Sequence, residues 1–318
     1  MPLKYAVIGS GAIGGFYGAM LARSNKPVHF LFHSDYKYVK EHGLQINSIL
    51  GDFHLPEVAC YQNTAEMPIV DVVLVGLKTT NNHLLKEMLP PLLHSGTVVI
   101  LIQNGMGMEE DLASELPELN IAGGMAFIAS SKQEPGTVQH QDYGKLTIAS
   151  YNLKDEDILQ QIYTDFTEAG VDVAIAPDLA SARWQKLQWN IPFNGLTVAL
   201  NTTTDRIVNH AEASRLSEEL MREVILASQA CRVRFPIQED AIETMMETTR
   251  QMTPYAPSMK LDYDFHREME IHYIYERPIA IAHQHGFEMK KAEMLGQILR
   301  FVQSGITPDN KPASLSAR

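Results

Sequence analysis

The chain has 318 residues, of which 45% are hydrophobic and 20% are charged, and its formal net charge is −12 at pH 7. This composition is typical of a globular protein of about two domains, and the acidic balance argues against a nucleic acid partner, because phosphate binding needs a basic surface. No stretch reaches the roughly 18 apolar residues of a membrane span. The first predicted strand begins by residue 3, so we expect no secretory signal, no membrane association and a cytoplasmic protein.

The first elements of the chain surround a cluster of glycines. A strand-like run at Lys4–Ile8 precedes the spacing Gly-x-Gly-x-x-Gly, a helix-like segment follows at Phe16–Ala22, and KPVHFLF then predicts a second buried strand. A strand, this fingerprint and a helix, within a βαβ unit of roughly 30 residues, hold the pyrophosphate of a dinucleotide. This context makes a glycine-rich turn of some other α/β protein the weaker alternative. The predicted phosphate-binding loop comprises Gly9, Ser10, Gly11, Ala12, Ile13 and Gly14.

The end of the second predicted strand, HSDYK, bears on the choice of cofactor. An NAD enzyme of this fold carries an acidic residue about 20 residues beyond the glycines to bind the ribose 2′-hydroxyl. His33 and Ser34 stand there, and Asp35 is expected in the following loop or as a cap of the next helix. Ser34 can donate a hydrogen bond to a 2′-phosphate, and Lys37 can supply positive charge. These residues predict a preference for NADP(H) over NAD(H), weaker than an arginine at this place would give.

The rest of the first half alternates strand-like and helix-like segments. VDVVLVGL, GTVVILIQNG and LNIAGGMAFIA predict strands, GTVQHQDYGKLTIAS predicts an antiparallel, hairpin-like addition, and VDVAIAP closes this half. The alternation indicates a mostly parallel sheet of the Rossmann type, doubly wound by helices on both faces. Lys78 and Asn104 each follow one of these strands at its carboxyl end, where open α/β sheets bind ligands. Each could simply begin a loop, but two at one edge favour a binding role.

After VDVAIAP the sequence predicts helices and no convincing strand. Asp178 is a plausible cap for the first helix, and further helices are predicted over Ala213–Val233 and Phe265–Gly286. We therefore expect a nucleotide-binding domain over residues 1–177 and an all-helical substrate and catalytic domain over residues 178–318. The last residues, TPDNKPASLSAR, predict a loose tail.

The first helix of this half carries the spacing KLxxNxxxN. Lys186, Asn190 and Asn194 stand at i, i+4 and i+8, so they stay on one helix face within roughly 80°. A cation and two amides on one face can bind a polar ligand, whereas the alternative is a solvated polar surface. Trp184 and Trp189, the only tryptophans of the chain, flank the lysine and make the segment more apolar than an ordinary wet face.

A second set of polar residues stands in PSMKLD and EMEIHYI. Ser258 and Asp262 are four residues apart and Glu270 lies eight residues further on, so all three share a face if the segment is one helix. On spacing alone, a capping role for Ser258 and a surface position for Glu270 are favoured.

The histidines and cysteines predict no metal site. The 12 histidines are scattered, without an HExxH motif or a Cys/His cluster. Cys60 and Cys231 lie far apart and form no CxxC pair, so we expect two reduced thiols in the core.

Taken in order, these motifs resemble the ketopantoate reductase (2-dehydropantoate 2-reductase) family over roughly residues 3–300. The resemblance rests on GxGxxG, on LK at Leu77–Lys78, on QNG at Gln103–Gly105, on KLxxNxxxN, on PSMxxD at Pro257–Asp262 and on Glu270. It implies a Rossmann domain that binds NADPH and a helical domain that closes over a 2-oxo acid. The implied reaction is the reduction of 2-dehydropantoate to pantoate, in pantothenate and coenzyme A biosynthesis.

The resemblance also implies roles for single residues. Lys186 matches the general acid of the family, and Glu270 matches its active-site glutamate. Positions at the substrate match Asn104, Asn190, Asn194 and Ser258, and positions at the cofactor match Lys78 and Asn104.

The sequence departs from the family pattern at two places, and it leaves alternatives open. Tyr275–Glu276 stands where the family usually has Asn-Gly, and His33–Ser34 stands where it often has an arginine. One alternative is a reductase for a different branched 2-oxo acid or a 3-hydroxy acid on the same fold. Another is a nucleotide sensor without catalysis, which the complete Lys/Asn/Glu set argues against. The expected partner is a small molecule, and a homodimer is left open.

Overall fold

The computed structural model describes residues 2–254 and 256–306 of the protein, and the predicted tail at 307–318 lies outside the described residues. The chain forms two compact units, which divide between Arg183 and Trp184. The N-terminal unit is an α/β domain, and the described part of the C-terminal unit is helical. This arrangement confirms the predicted fold class.

One mixed sheet forms the frame of the N-terminal unit. Its spatial strand order is β4-β3-β9-β8-β7-β6-β1-β2-β5, with β10 beside β9. The β3–β4 and β8–β9 pairs are antiparallel and the other pairs are parallel, which confirms the predicted hairpin in a mostly parallel sheet. The strands in the described residues are β1 Tyr5–Ile8, β2 Val28–Leu31, β3 Leu44–Ser48, β4 Phe53–Leu55, β5 Ala59–Tyr61, β6 Val72–Val75, β7 Val98–Leu101, β8 Asn120–Glu134, β9 Thr137–Ser150 and β10 Val173–Ile175.

The centre of the sheet is apolar at every position. The strands β1 (YAVI), β6 (VVLV) and β7 (VVIL) are completely buried, as expected for strands with both faces covered. The sequence analysis missed β3, β4 and β5, which are only three to five residues long and mix polar with apolar side chains. Backbone pairing to a neighbouring strand holds them in the sheet, and local periodicity does not reveal such pairing.

The first helix packs tightly on the sheet. A Cβ atom on Gly18 would lie 2.5 Å from the ring of Phe30, so only a glycine allows this approach. A small residue of the helix therefore faces the sheet at this position. The helices of the N-terminal unit are α1 Ala12–Arg23, α2 Tyr36–His42, α3 Leu85–Met88, α4 Met108–Glu115 and α5 Asp157–Glu168, with short 3₁₀ helices at Thr64–Glu66, Thr79–Leu84 and Pro90–Leu92.

The next helix, α6 (Leu179–Ala199), begins at the predicted cap. The carboxylate of Asp178 accepts a hydrogen bond from the backbone N–H of Ser181 at 2.7 Å, which satisfies one of the free donors at the helix start. No strand occurs in the described part of the C-terminal unit. Its further helices are α7 Thr204–Val208, α8 Ala211–Ala230, α9 Ala241–Gln251, α10 Ser258–Asp264, a π-helix at His272–Glu276, α11 Arg277–Gln284 and α12 Lys290–Ser304.

The single helix predicted over Phe265–Gly286 is wrong. The chain leaves helical geometry after α10, where His266 takes a left-handed φ of +53° and the N–H of Arg267 donates back to the carbonyl of Asp262 at 2.7 Å. This bond closes the end of α10, and the chain becomes helical again only from Ile271, just before the π-helix. The spacing put Ser258 and Glu270 on one face only if a single helix contained both. Because α10 ends before Glu270, the two residues do not share a helix face.

Three further features bear on the predicted class of protein: the two cysteines, the potential metal ligands and the apolarity of the helices. Cys60 and Cys231 are free but only half-buried, so their predicted place in the core is wrong. Within residues 2–254 and 256–306, no group of three or more His, Cys, Asp or Glu is placed to hold a metal ion. None of the helices in these residues has the length and apolarity that crossing a membrane requires.

Candidate functional site

The three glycines of the fingerprint have different surroundings, so they are needed for different reasons. Gly9 has a left-handed φ of +86°, and a Cβ there would lie 2.4 Å from the backbone nitrogen of Leu77. A Cβ on Gly14 would lie 2.4 Å from the carbonyl oxygen of Gly9. At Gly11, by contrast, a Cβ would meet nothing within 4 Å. Gly9 and Gly14 are therefore required by the fold, whereas the free space at Gly11 is available to a ligand.

This loop forms one wall of a groove of about 300 Å³. The groove combines glycine backbone, the start of α1 and two lysines, which is the donor set that a dinucleotide pyrophosphate requires. No acidic residue stands in the first turn of α1 to repel a phosphate. The residues present thus fit a dinucleotide. The groove is lined by Gly9, Ser10, Gly11, Leu31, Phe32, His33, Ser34, Asp35, Gln62, Gly76, Leu77, Lys78, Asn81, Met88 and Lys132.

Most of the predicted cofactor residues lie in or beside this groove. Ser10 is buried, and its hydroxyl donates to the carbonyl of Leu31 at 2.9 Å. His33 and Ser34 are exposed and line the groove. Lys37 is exposed on α2 and is not one of the lining residues, whereas Lys132, which the sequence analysis missed, is one.

The carboxylate of Asp35 has three hydrogen-bond donors around it. It stands at the cap position of α2 without capping the helix, and it accepts from Lys132 Nζ at 2.6 Å, Gly136 N–H at 3.0 Å and Ser34 Oγ at 2.9 Å. Burial alone would raise the pKa of this carboxyl, but the hydrogen bonds from Lys132, Gly136 and Ser34 together lower its pKa below the ordinary value. Asp35 is therefore ionised at neutral pH and its oxygens are occupied.

The loops after β6 and β7 are joined by the side chain of Gln103. Its amide nitrogen donates to the carbonyl of Leu77 at 2.8 Å and to Oδ1 of Asn82 at 2.7 Å. Lys78 and Asn104 are the residues that directly follow Leu77 and Gln103. The structure therefore brings both predicted residues to one edge of the sheet, although Asn104 does not line the groove described above.

A buried ion pair supports the loop after β7. Arg183 donates to the carbonyl of Leu101 at 3.1 Å and to the carbonyl of Gln103, and it pairs with Glu109. The side chains of Arg183 and Glu109 are only 2% and 4% exposed. A buried charge pair needs such additional hydrogen bonds to offset desolvation. The sequence analysis missed both residues, and the one available signal was an arginine placed within the apolar tryptophan segment of α6.

In the C-terminal unit, α6 carries a polar face that is not solvated. Asn190 and Asn194 are 2% and 1% exposed, which rules out the alternative of an ordinary wet surface. Lys186 is half-buried, with Nζ 6.0 Å from the centre of the Trp189 ring. Buried amides are costly without hydrogen bonds, so a face of this kind is built to bind polar groups of the protein or of a ligand.

Asn194 connects α6 to the start of α10. Its Oδ1 accepts a hydrogen bond from the backbone N–H of Met259 at 3.2 Å. Ser258, the residue before Met259, is thereby brought next to the polar face of α6. The hydroxyl of Ser258 does not cap α10, since the cap position is Pro257 without a side-chain bond. The capping role that spacing favoured for Ser258 is therefore wrong.

Glu270 is buried outside any α-helix. It is only 7% exposed, so the favoured surface position is wrong. It stands just before the π-helix, where its carbonyl accepts from the N–H of Ile274 at 3.3 Å. π-helical turns are rare and often occur at functional sites. Asp262, also buried, forms an ion pair with Arg267 Nε at 3.1 Å.

Tyr275 and Glu276, which stand in place of the Asn-Gly of the family pattern, lie in different surroundings, Tyr275 in the core and Glu276 at the surface. Tyr275 is fully buried, and its hydroxyl donates to the carbonyl of Ile191 in α6 at 2.6 Å. A Cβ on Gly195 would lie 2.3 Å from that hydroxyl, so the glycine makes room for the phenol. Glu276 instead forms an exposed pair with Arg300 Nε at 2.6 Å. The tyrosine thus packs directly against the helix that carries the asparagines.

Comparison with known proteins assigns this architecture. A family model described as Ketopantoate reductase PanE/ApbA matches residues 5–152, and one described as Ketopantoate reductase PanE/ApbA C terminal matches residues 178–303. The chain belongs to the ketopantoate reductase family. The chain is 42% identical over 304 residues to the 2-dehydropantoate 2-reductase of Nostoc sp., covering 94% of this chain and 95% of the relative.

Solved structures agree with this assignment. The 2-dehydropantoate 2-reductase from Geobacter metallireducens GS-15 has a TM-score of 0.91 and 38% identity, and the match covers 94% of this chain and 99% of that chain. The ternary structure of D-mandelate dehydrogenase with NADH and anilino(oxo)acetate has a TM-score of 0.85 at 20% identity, covering 96% and 99%, and shows the shared fold alone. The resemblance found in the sequence is confirmed, and the family is one of NAD(P)H-dependent oxidoreductases.

Proposed function

We propose that this member of the family reduces 2-dehydropantoate to pantoate with NADPH, as a step of pantothenate biosynthesis in the cytoplasm. The observation that carries the proposal is the family match over both units, in a chain whose α6 presents Lys186, Asn190 and Asn194 on a face that is largely withdrawn from water.

The substrate is a small 2-oxo acid, and its reduction needs a hydride and a proton. NADPH, when bound, would supply the hydride for the carbonyl carbon. Lys186 donates the proton to the carbonyl oxygen and stabilises the negative charge that develops there. Its half-buried place beside Trp189 limits competing water.

Other polar residues of the C-terminal unit hold the substrate. Asn190 and Asn194 offer amide groups on the same helix face as Lys186, and Ser258 offers a hydroxyl beside it. They bind the carboxylate and the hydroxyl of the substrate and so fix the carbonyl for attack. Glu270, a buried carboxylate, is the second proposed catalytic residue. It holds the ammonium of Lys186 or a hydroxyl of the substrate by a charge-assisted hydrogen bond. In the N-terminal unit, Asn104 contacts the substrate or the cofactor at the sheet edge.

The cofactor residues support NADP(H) over NAD(H). Gly9, Gly11 and Gly14 form the phosphate-binding loop, and Lys78 adds charge to the groove. Ser34 stands where an NAD enzyme carries a free acidic residue, and Asp35 beside it is already ion-paired. Lys37 contributes a cation from the first turn of α2.

A homodimer is the proposed assembly. Met294, Ile298 and Phe301 recur on one face of α12 and are 53%, 40% and 80% exposed. A row of large apolar side chains in water is typical of a surface that a second subunit covers. The molar mass in solution tests this assembly.

The function is tested by following NADPH oxidation with a panel of branched 2-oxo acids that includes 2-dehydropantoate. We expect the highest kcat/KM for 2-dehydropantoate, and a higher kcat/KM with NADPH than with NADH. A clear preference for another 2-oxo acid would assign the chain to a different reductase of the same fold. No turnover with any member of the panel would contradict the proposal.

A further inference from the structure

The ion pair between Lys132 and Asp35 lies inside the nucleotide groove, although the two residues are 97 positions apart in the chain. Lys132 comes from β8, on the hairpin, and Asp35 follows β2. Two positions earlier on β8, the hydroxyl of Ser130 donates to the carbonyl of Ala12, the first residue of α1, at 3.3 Å. Through Ser130 and Lys132, this part of β8 contacts both the first residue of α1 and the residue Asp35 that follows β2.

The state of Asp35 determines what this end of the groove can bind. A free carboxylate after the second strand accepts the ribose hydroxyls of NAD(H) and repels a 2′-phosphate. Here both oxygens of Asp35 are already occupied, one by Ser34 and the other by Lys132 and Gly136. Its negative charge is balanced by the ammonium at 2.6 Å. The negative charge of the carboxylate that would otherwise select NAD(H) is thereby balanced by Lys132.

Lys132 retains the capacity to bind an anion. An ammonium has three N–H donors, and the carboxylate takes one of them. The Lys132 side chain is 29% exposed, whereas that of Asp35 is 6% exposed, so the lysine presents the accessible side of the pair. The accessible side of Lys132 lies beside Ser34, which occupies the position expected to face the 2′-substituent of the ribose. Lys78, the other lysine of the groove, follows β6 and is adjacent to Leu77 at the phosphate-binding loop.

We propose that Lys132 is the residue that binds the 2′-phosphate of NADP(H), and that Asp35 is a positioning residue that fixes the Lys132 ammonium at the end of β2. This inference rests on the proposed function, since it assumes a nicotinamide dinucleotide in the groove. It assigns the selectivity of the nucleotide domain to a residue of the hairpin rather than to the loop after β2. Lys37, which is exposed on α2, is the lysine to compare with Lys132. This inference gives Lys37 a smaller part in binding the 2′-phosphate.

The test is direct binding of NADPH, NADH, 2′,5′-ADP and 5′-AMP, measured by titration calorimetry. The variants are Lys132→Ala, Lys132→Arg and Lys37→Ala. A charge-assisted hydrogen bond to phosphate corresponds to an affinity change of about 10- to 100-fold. We expect Lys132→Ala to lower the ratio of NADPH to NADH affinity by that factor, and the ratio of 2′,5′-ADP to 5′-AMP affinity likewise. Lys132→Arg keeps the charge and should retain most of the ratio, and Lys37→Ala should lower the ratio by less than Lys132→Ala does, because Lys37 is exposed and does not line the groove.

Retained NADH binding by Lys132→Ala shows that the variant is folded. An unchanged NADPH-to-NADH ratio in this variant overturns the inference, as does a larger loss of the ratio in Lys37→Ala. Both results leave the proposed reductase function intact, because wild-type protein would still bind and oxidise NADPH. Failure of the wild type to bind either dinucleotide would instead overturn the proposed function together with the inference.

Discussion

The two units prepare for ligands by different means. The N-terminal unit uses backbone, since its groove is formed by glycines, a helix start and loops tied together by Gln103. The C-terminal unit uses side chains, because its polar face consists of amides on α6 that are 2% and 1% exposed. Backbone donors are fixed as soon as the sheet folds, whereas buried amides depend on the packing around them. Substitutions at tightly packed glycines of the first unit should therefore affect folding, whereas substitutions of the polar side chains of the second unit should affect chemistry.

The largest effect is expected at Lys186. Lys186→Ala removes the proposed proton donor, and turnover of 2-dehydropantoate should fall by about 10²- to 10⁴-fold, while nucleotide binding is retained. Steady-state kinetics and nucleotide titration measure the two properties. Gln185→Ala, an exposed neighbour on the same helix, is the control. Turnover within tenfold of wild type would remove Lys186 from the mechanism.

The glycine loop offers a matched pair of substitutions. Gly9→Ala places a methyl group 2.4 Å from the Leu77 nitrogen at a φ of +86°, so the free energy of unfolding should fall by about 1–3 kcal/mol. Gly11→Ala meets no atom within 4 Å, so stability should stay within about 0.5 kcal/mol, while nucleotide affinity falls about tenfold. Urea unfolding and nucleotide titration separate these outcomes. Equal loss of stability in both variants would show that Gly11 is also required by the fold.

A smaller effect is expected at Ser258. Ser258→Ala removes the neutral hydrogen bond proposed to form with the substrate, which corresponds to about 0.5–1.5 kcal/mol. Because this bond is present in the ground state and in the transition state, KM should rise while kcat changes little. Kinetics at varied substrate concentration give both values. A fall in kcat at unchanged KM would instead place Ser258 in the chemical step.

The smallest effect concerns pH and the Asp35–Lys132 pair. The folded-state pKa of Asp35 lies below its ordinary value, so its contribution to stability is complete above about pH 5 and is lost as the pH falls through the folded pKa. The free energy of unfolding of wild type should exceed that of Asp35→Asn by on the order of 1 kcal/mol at neutral pH. This excess should shrink towards pH 3. Glu118→Gln, at a side chain that is 96% exposed, is the control; a difference that is independent of pH would contradict the electrostatic explanation.

Local patterns predicted the parts of the fold that depend on neighbours in sequence. The glycine spacing, the apolar runs of β1, β6 and β7 and the cap at Asp178 are such features. The ion pairs of Lys132 and Arg183 are not, because they join elements that are 97 and 74 residues apart. The surroundings of Glu270 were also missed, since a backbone hydrogen bond from Arg267 to Asp262 ends α10 where side-chain periodicity still continues.

The pairing of β3 with β9 has a consequence for the order of folding. Strand β3 lies near the beginning of the chain, but its partner follows it only after the whole central part of the sheet, with Gln45 opposite Thr137. Pairings between distant segments form late, because the entropy of closing the intervening loop opposes them. The contacts of Asp35 with Lys132 and Gly136, 97 and 101 residues away, belong to this late closure. A chain emerging from the ribosome is therefore expected to complete its central strands before its cofactor groove, so binding of a nicotinamide dinucleotide should report the last stage of folding of this unit.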